Sequence, residues 1–348
     1  KIYVGLAEGS HTFEVRATSA AHTDPSPASR TWTVDTSGHG CTIFGTSGSD
    51  TLTGTTGADV ICGSGGPDVI YAYSGNDVIH AGGGNDYVNA GTGDDTIYGE
   101  DGVDVIVPRS GIDSVDGGVG TDKVDYTGSL VGVTVDLPAG LATAEGADSL
   151  TSIEDVMGTP YDDVITGGTG PNSLYGAKGN DVIYGGAGND ILNGGSDSNT
   201  LYGQAGADYL FSKTADDSLS GGDGDDILAP GQGTDGVDGG TGVDMVDYAQ
   251  ASAPTAISVD LSTGSVTGGA GTDTLVGIES VLATAFDDLL TGDAGGNSLF
   301  GGAGNDAIYG GDGNDNINGG TQDDILYGEA GSDTIVGKGG IDAIYGGT

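Results

Sequence analysis

The sequence predicts an all-β protein made of many very short strands joined by glycine-rich turns. Three observations carry that expectation. Glycine supplies 72 of the 348 residues, acidic side chains outnumber basic ones 52 to 8, and one aliphatic residue recurs every nine positions through most of the chain. The first two alone describe a disordered acidic linker. The third does not, because a linker has no reason to keep an aliphatic side chain in phase.

The phase can be followed residue by residue. Cut every nine residues from Gly45, the chain runs without a slip to Asp125; a second run covers 158–247 and a third 283–345. Across these 26 copies position eight is aliphatic every time, as in Leu52, Ile61, Ile70 and Ile79, while position six is Asp in 23 and Asn in three (Asn172, Asn199, Asn297). Glycine gathers at positions one, two and four.

Such a unit divides into a six-residue turn and a three-residue strand. Residues seven and nine of the strand face outward and residue eight faces inward, because side chains alternate along a strand. Two units make one coil, so residues 18 apart stack at about 4.8 Å. The interior is then one thin aliphatic stripe per side. One buried Val, Leu or Ile returns about 1.5–3 kcal/mol, which falls well short of the entropy lost in ordering nine residues. Something besides the core must hold the coils.

The phrase Gly-Gly-x-Gly-x-Asp-x-aliphatic-x, as in "GGAGNDAIY" (301–309), resembles the calcium-binding nonapeptide of the RTX (repeats-in-toxin) family. The resemblance implies a parallel β-roll in three blocks, 41–125, 158–247 and 283–348. Two β insertions, 126–157 and 248–282, separate the blocks. It also implies calcium ions between stacked turns, held by backbone carbonyls and the position-six carboxylates. The candidate ligands are Asp50, Asp59, Asp68, Asp77, Asp86, Asp95, Asp104, Asp113 and Asp122 in the first block. They are Asp181, Asp190, Asp208, Asp226, Asp235 and Asp244 in the second, and Asp306, Asp315, Asp324, Asp333 and Asp342 in the third. The donors are hard oxygens, with no imidazole or thiolate in the pattern, which favours Ca²⁺ over Zn²⁺ or Cu²⁺; Mg²⁺ gives up its water too reluctantly for an all-protein cage. Some 15–20 calcium ions, roughly one per intact turn, would bring the formal charge of −44 close to neutral.

Several copies depart from the pattern. The unit 194–202 carries Asp197 and Asn199, and its stacking partner 212–220 carries Lys213 and Ala215, so the site between them is expected to be empty or weak, with the Lys213 ammonium in the ion's place. Arg109 is expected to weaken its own turn. Tyr161 and Phe286 open the second and third blocks at position four, where their rings are expected to cover the end of a stack. The two insertions resemble each other: each begins Asp-Tyr, carries an alternating strand ("VGVTVDL", "AISVDL"), and closes on "SIEDV" or "GIESV". They read as duplicated hairpins serving as caps or spacers. Tyr309, Tyr327 and Tyr345, spaced 18 apart, predict an outward ladder, read first as strand packing and secondly as a binding stripe.

Residues 3–37 lack the phase. "HTFEVRA" and "RTWTVDT" alternate like strands around a Pro/Ser/Asp loop, and the stretch resembles the end of a bacterial immunoglobulin-like or fibronectin-type domain. The expectation for 1–40 is therefore a partial β-sandwich segment. Cys41 falls at position six of an imperfect unit and Cys62 at position nine one coil along. A disulfide stapling the first coil, in an oxidising compartment, is expected, and two free thiols are the alternative.

No catalytic set is found: the four histidines (His11, His22, His39, His80) are scattered, and no nucleophile elbow, His-Glu-x-x-His or P-loop occurs. The acidic surface argues against nucleic acid as a partner, and no stretch reaches the length of a membrane span. The start carries no signal region and no initiator Met, so the chain reads as a fragment or processed form of something longer. The expected function is a calcium-binding, non-enzymatic structural region of a secreted or cell-surface bacterial protein. The alternative is the folding and secretion module of an exported enzyme. End-to-end self-association and a surface polymer or carbohydrate are left open as partners.

Overall fold

The computed structural model describes residues 38–249, 255–269 and 271–348, together with the backbone of four earlier strands, Gly9–Val15, Thr18–Ser19, His22–Thr23 and Ala28–Val34. Gly9–Val15 pairs antiparallel with Ala28–Val34, where the sequence places its two alternating runs. The immunoglobulin-like expectation for this segment otherwise lies outside the described residues.

Among the described residues there is no helix. The chain forms two compact units. The first comprises Lys1–Asp125 with Glu145–Ile153, and the second comprises Tyr126–Ala144 with Glu154–Thr348. Each is a parallel β-roll: a flattened spiral in which odd and even units of the repeat supply opposite sheets.

In the first unit, Thr51–Thr53, Val69–Tyr71, Tyr87–Asn89, Val105–Val107 and Lys123–Asp125 stack in one parallel sheet, each residue paired with the one 18 along. The intervening units, from Ile43–Phe44 through Val60–Cys62, Val78–Gly83, Thr96–Gly102 and Ser114–Asp116, form the facing sheet. The aliphatic phase explains this directly. Ile61, Ile70, Ile79, Val88, Ile97, Ile106 and Val124 have no exposed surface, because position eight of these copies meets its neighbours between the sheets. Cys41 and Cys62 are joined in the expected disulfide.

The second unit repeats the plan, with Leu174, Ile183, Leu192, Leu201, Leu210, Leu228, Leu299, Ile308 and Ile317 wholly buried. The insertion 248–282 branches from the roll without ending it. Ile257–Asp260 pairs antiparallel with Ser265–Gly268, which pairs antiparallel with Gly271–Val276. Gly271–Val276 then lies parallel to Gly236–Thr241, with Gly236 opposite Thr274, so the register lengthens from 18 residues to 38 and resumes. In the first unit, Ala147–Thr151 rejoins the roll in the same way against Ser114–Asp116, 35 residues on. Outward on the second unit, Tyr309, Tyr327 and Tyr345 form the expected ladder, with ring centroids 4.8 and 4.6 Å apart and nearly parallel planes.

Candidate metal centres

The position-six carboxylates form a row along each edge of each roll. One oxygen, Oδ1, accepts a hydrogen bond from the backbone N–H of the position-six residue one coil earlier. Asp68 accepts from Asp50 at 2.7 Å, Asp104 from Asp86 at 2.8 Å, Asp208 from Asp190 at 2.8 Å and Asp324 from Asp306 at 2.9 Å. Asp122 and Asp342 take the same bond from Asp104 and Asp324. The coils are thus laced by side chains as well as by strand ladders.

The second oxygen divides the turns into two kinds. In open turns Oδ2 is buried and receives no hydrogen bond: at Asp68, Asp77, Asp86, Asp95, Asp104 and Asp113 in the first unit, and at Asp181, Asp190, Asp208, Asp226, Asp235, Asp244, Asp306, Asp315, Asp324 and Asp333 in the second. Burial pushes the carboxyls of Asp95, Asp104, Asp113, Asp181, Asp235 and Asp306 up to about 7, against the lowering effect of the backbone bond to Oδ1. Those of Asp68, Asp208, Asp217, Asp226 and Asp244 rise to about 6 for the same reason.

In closed turns the oxygen is satisfied from within. Asp50 Oδ2 accepts from the Thr46 N–H at 2.5 Å and its hydroxyl at 2.8 Å, and Asp59 from Thr55 at 2.6 and 2.9 Å. Asp163 accepts the Thr159 N–H at 2.6 Å, and Asp288 the Thr284 N–H and hydroxyl at 2.9 and 2.8 Å. Asn172 and Asn297 accept from the N–H of Gly168 and Asp293. The Asn172 amide also donates to the Glu154 carbonyl at 2.6 Å, joining two turns. Each of the three blocks opens with two closed turns, which is one full coil.

The backbone follows the same division. In open turns position two takes positive φ, even where it is not glycine: Tyr73, Glu100, Arg109, Ala177, Gln204, Glu329 and Lys338 lie between 66° and 84°. Such angles cost free energy for side-chain-bearing residues and concentrate at functional sites. Position two of the closed turns avoids them, which aims its N–H at the carboxylate. At position one a side chain would crowd that same carboxylate, as a Cβ on Gly185 would meet Asp190 Oδ2 at 2.6 Å.

A buried carboxylate oxygen without a donor is costly unless a cation meets it. Its recurrence at one phase of the repeat, beside a strained turn, suits a row of hard-oxygen cation sites. The model for the RTX calcium-binding nonapeptide repeat matches in overlapping stretches across 42–115, 157–246 and 282–344, more than half of the chain. The chain belongs to the RTX calcium-binding nonapeptide repeat family. No curated protein gives a significant match.

Calcium is thus the cofactor of these RTX repeats. Of the residues singled out from sequence, Asp50 and Asp59 stand apart, because threonine occupies the oxygen an ion would take. Asp217, left out because the site beside it was expected to be empty or weak, differs from the open turns: Ser212 and Asn199 side chains hydrogen-bond to its carboxylate, and Lys213 at position two does not take positive φ. Lys213 and Arg109 are exposed, and neither side chain pairs with a carboxylate among the described residues. It is the Asn199 amide that enters the irregular turn, donating to Asp197 O at 2.8 Å and Ser212 Oγ at 3.2 Å. Tyr161 and Phe286 remain 46 % and 42 % exposed, so threonine rather than an aromatic cover holds those turns.

Three features escaped the sequence reading. The stretches "TAEGADSLT" (143–151) and "GGAGTDTLV" (268–276) inside the insertions follow the nonapeptide spacing, and Asp148 and Asp273 accept position-six N–H bonds from Asp113 and Asp235 at 3.0 Å. Position five forms an outer ladder, in which Asn76, Asp94, Asp162, Asn180 and Asn305 each accept the N–H of position five one coil on. His39, His80 and Glu100 bring three ligand atoms within 4.8 Å, but the two imidazoles stack at 3.8 Å with 13° between planes. Their in-plane lone pairs run side by side instead of converging on a metal.

Proposed function

We propose that the chain is a calcium-rigidified structural rod of a secreted or cell-surface protein and carries no catalytic activity of its own. The observation that supports this most is the row of buried, donor-free Oδ2 atoms. In this reading each is a calcium ligand, and neighbouring turns contribute carbonyl oxygens. The proposed ligand set is Asp68, Asp77, Asp86, Asp95, Asp104, Asp113, Asp181, Asp190, Asp208, Asp226, Asp235, Asp244, Asp306, Asp315, Asp324 and Asp333, with Asp122 and Asp342 added on their place at position six alone. Asp50, Asp59, Asp163 and Asp288 are excluded because their turns are closed. Extracellular calcium near millimolar suits sites of modest affinity, which fill cooperatively as each ion stiffens the turn that forms half of the next site. The resemblance of residues 3–37 to the end of an immunoglobulin-like domain, a kind of domain that commonly builds surface stalks, favours a surface stalk over an enzyme's secretion module. Isothermal titration of the EGTA-stripped protein tests this, with strong calcium uptake expected and magnesium unable to replace it. Equal uptake of magnesium, or none of either, refutes it.

A further inference from the structure

We propose that the segment from Tyr248 to Phe300 is a calcium-independent folding nucleus, from which the calcium-dependent coils on both sides of it grow. The proposal rests on the calcium reading of those coils. It is carried by a separate observation, that the acids at position six of this segment, Asp273 and Asp288, have both oxygens satisfied by protein donors.

Asp273 stands at position six of the hidden repeat 268–276. Its Oδ1 accepts from the Asp235 N–H at 3.0 Å, and its Oδ2 accepts the hydroxyl of the fully buried Tyr248 at 2.8 Å. The tyrosine thus donates where calcium is proposed to sit in an open turn. Glu279 continues the opposite row after Asp244, and its Oε2 accepts from the Asp244 N–H at 2.9 Å. Asp288 receives the Ile257 N–H on Oδ1 at 2.8 Å and Thr284 on Oδ2, and Asn297 accepts the Asp293 N–H at 2.8 Å. The change on either side is abrupt: Asp235 and Asp244 before the segment, and Asp306 and Asp315 after it, each keep a buried Oδ2 with no donor.

The segment also has what the plain coils lack. Its three strands Ile257–Asp260, Ser265–Gly268 and Gly271–Val276 pair antiparallel through short connections, so their contacts are local and close at low entropic cost. Three strands with an apolar face are the smallest sheet expected to hold by itself. That face is provided by Tyr248, Ile257, Val259, Val266, Leu275 and Ile278, all buried. The strands then offer ready templates in parallel register: Thr274 to Gly236 on one side, Ser258 to Leu289 on the other. The contacts recur where Val133 N–H donates to Asp163 Oδ1 at 2.7 Å and Thr134–Asp136 templates Val164–Thr166.

Hydrogen exchange of the full chain in EGTA, read by mass spectrometry, tests the proposal. Peptides covering 256–276 are expected to stay protected while 176–247 and 301–345 exchange as unfolded chain, and added calcium then protects the latter. Tyr248→Phe leaves Asp273 Oδ2 buried without a donor and is expected to lower the protection of 256–276 in EGTA about ten- to a hundredfold. Thr284→Ala, a milder change at the edge of the segment, is expected to lower it at 283–300 alone. Exchange of 256–276 as fast as the repeats in EGTA overturns the nucleus, as does a Tyr248→Phe protein that exchanges like the parent. Failure of calcium to protect 176–247 and 301–345 overturns the calcium reading instead, so the two outcomes are separable.

Discussion

The turns ending at Asp288 and Asp306 lie one coil apart in the same row and share a strand register, yet they are held by different chemistry. At Asp288, Thr284 supplies a hydroxyl and an N–H to the carboxylate. At Asp306, position two is Gly302 with φ near 98°, its N–H points elsewhere, and Oδ2 is buried alone. In this pair the threonine at position two separates a turn that closes on itself from one whose second oxygen is left without a donor. Under the proposed calcium reading, the comparison makes calcium dependence a property of each turn's own hydrogen bonds, not of the roll as a whole.

The strongest way to press that difference is pH without metal. Burial raises several open-turn carboxyls from 3.8, that of Asp306 to about 7 and that of Asp226 to about 6, so the fold holds these protons more tightly than the unfolded chain does. Their contribution to the metal-free fold is complete below about pH 4 and is lost as pH rises through 6 to 7. Far-UV circular dichroism in EGTA should show β-structure growing as pH falls from 8 to 5, while the calcium midpoint moves to higher concentration. A metal-free fold that weakens on acidification contradicts the open-turn picture.

A smaller effect is expected at the closed coil of the first block, which the Cys41–Cys62 disulfide spans. Replacing both cysteines with serine should cost about 2–4 kcal/mol and lower the melting temperature of the first unit with no change in bound calcium. Thr55→Gly should convert a closed turn toward an open one. Loss of a cap-like hydrogen-bond pair costs about 1–2 kcal/mol in metal-free protein, and ion counting by mass spectrometry should find calcium gained beside Asp59. An unchanged count would show that threonine is not what excludes the ion. The smallest change belongs to the tyrosine ladder. Tyr327→Ala should cost about 0.5–1.5 kcal/mol by thermal melting in saturating calcium, with no ion lost.

Much of this molecule is legible in its sequence, because a strict period leaves few alternatives. Ile61, Ile79 and Leu192 lie in the core for the reason their spacing gives, and Cys41 and Cys62 pair because a coil returns the chain to nearly the same place. Less legible was the difference between Thr55 and Gly82 at position two, since both read as ordinary turn residues until the hydroxyl's partner is seen. The repeat at 268–276 was obscured because the antiparallel strand before it shifts the phase by two residues, although Gly271, Asp273 and Leu275 keep the spacing. Lys213 misled through its charge: a long ammonium side chain gains more from water than from a crowded turn, and the shorter Asn199 amide fits where it does not.

The most direct test of the open-turn account is to add calcium back to the EGTA-stripped full chain, recording far-UV circular dichroism and bound ions in the same samples. The account predicts that most of the β-signal is absent at neutral pH without calcium and returns cooperatively with the uptake of about 15–20 ions per chain. Full β-signal before any ion binds, or its return with only one or two bound, would contradict it.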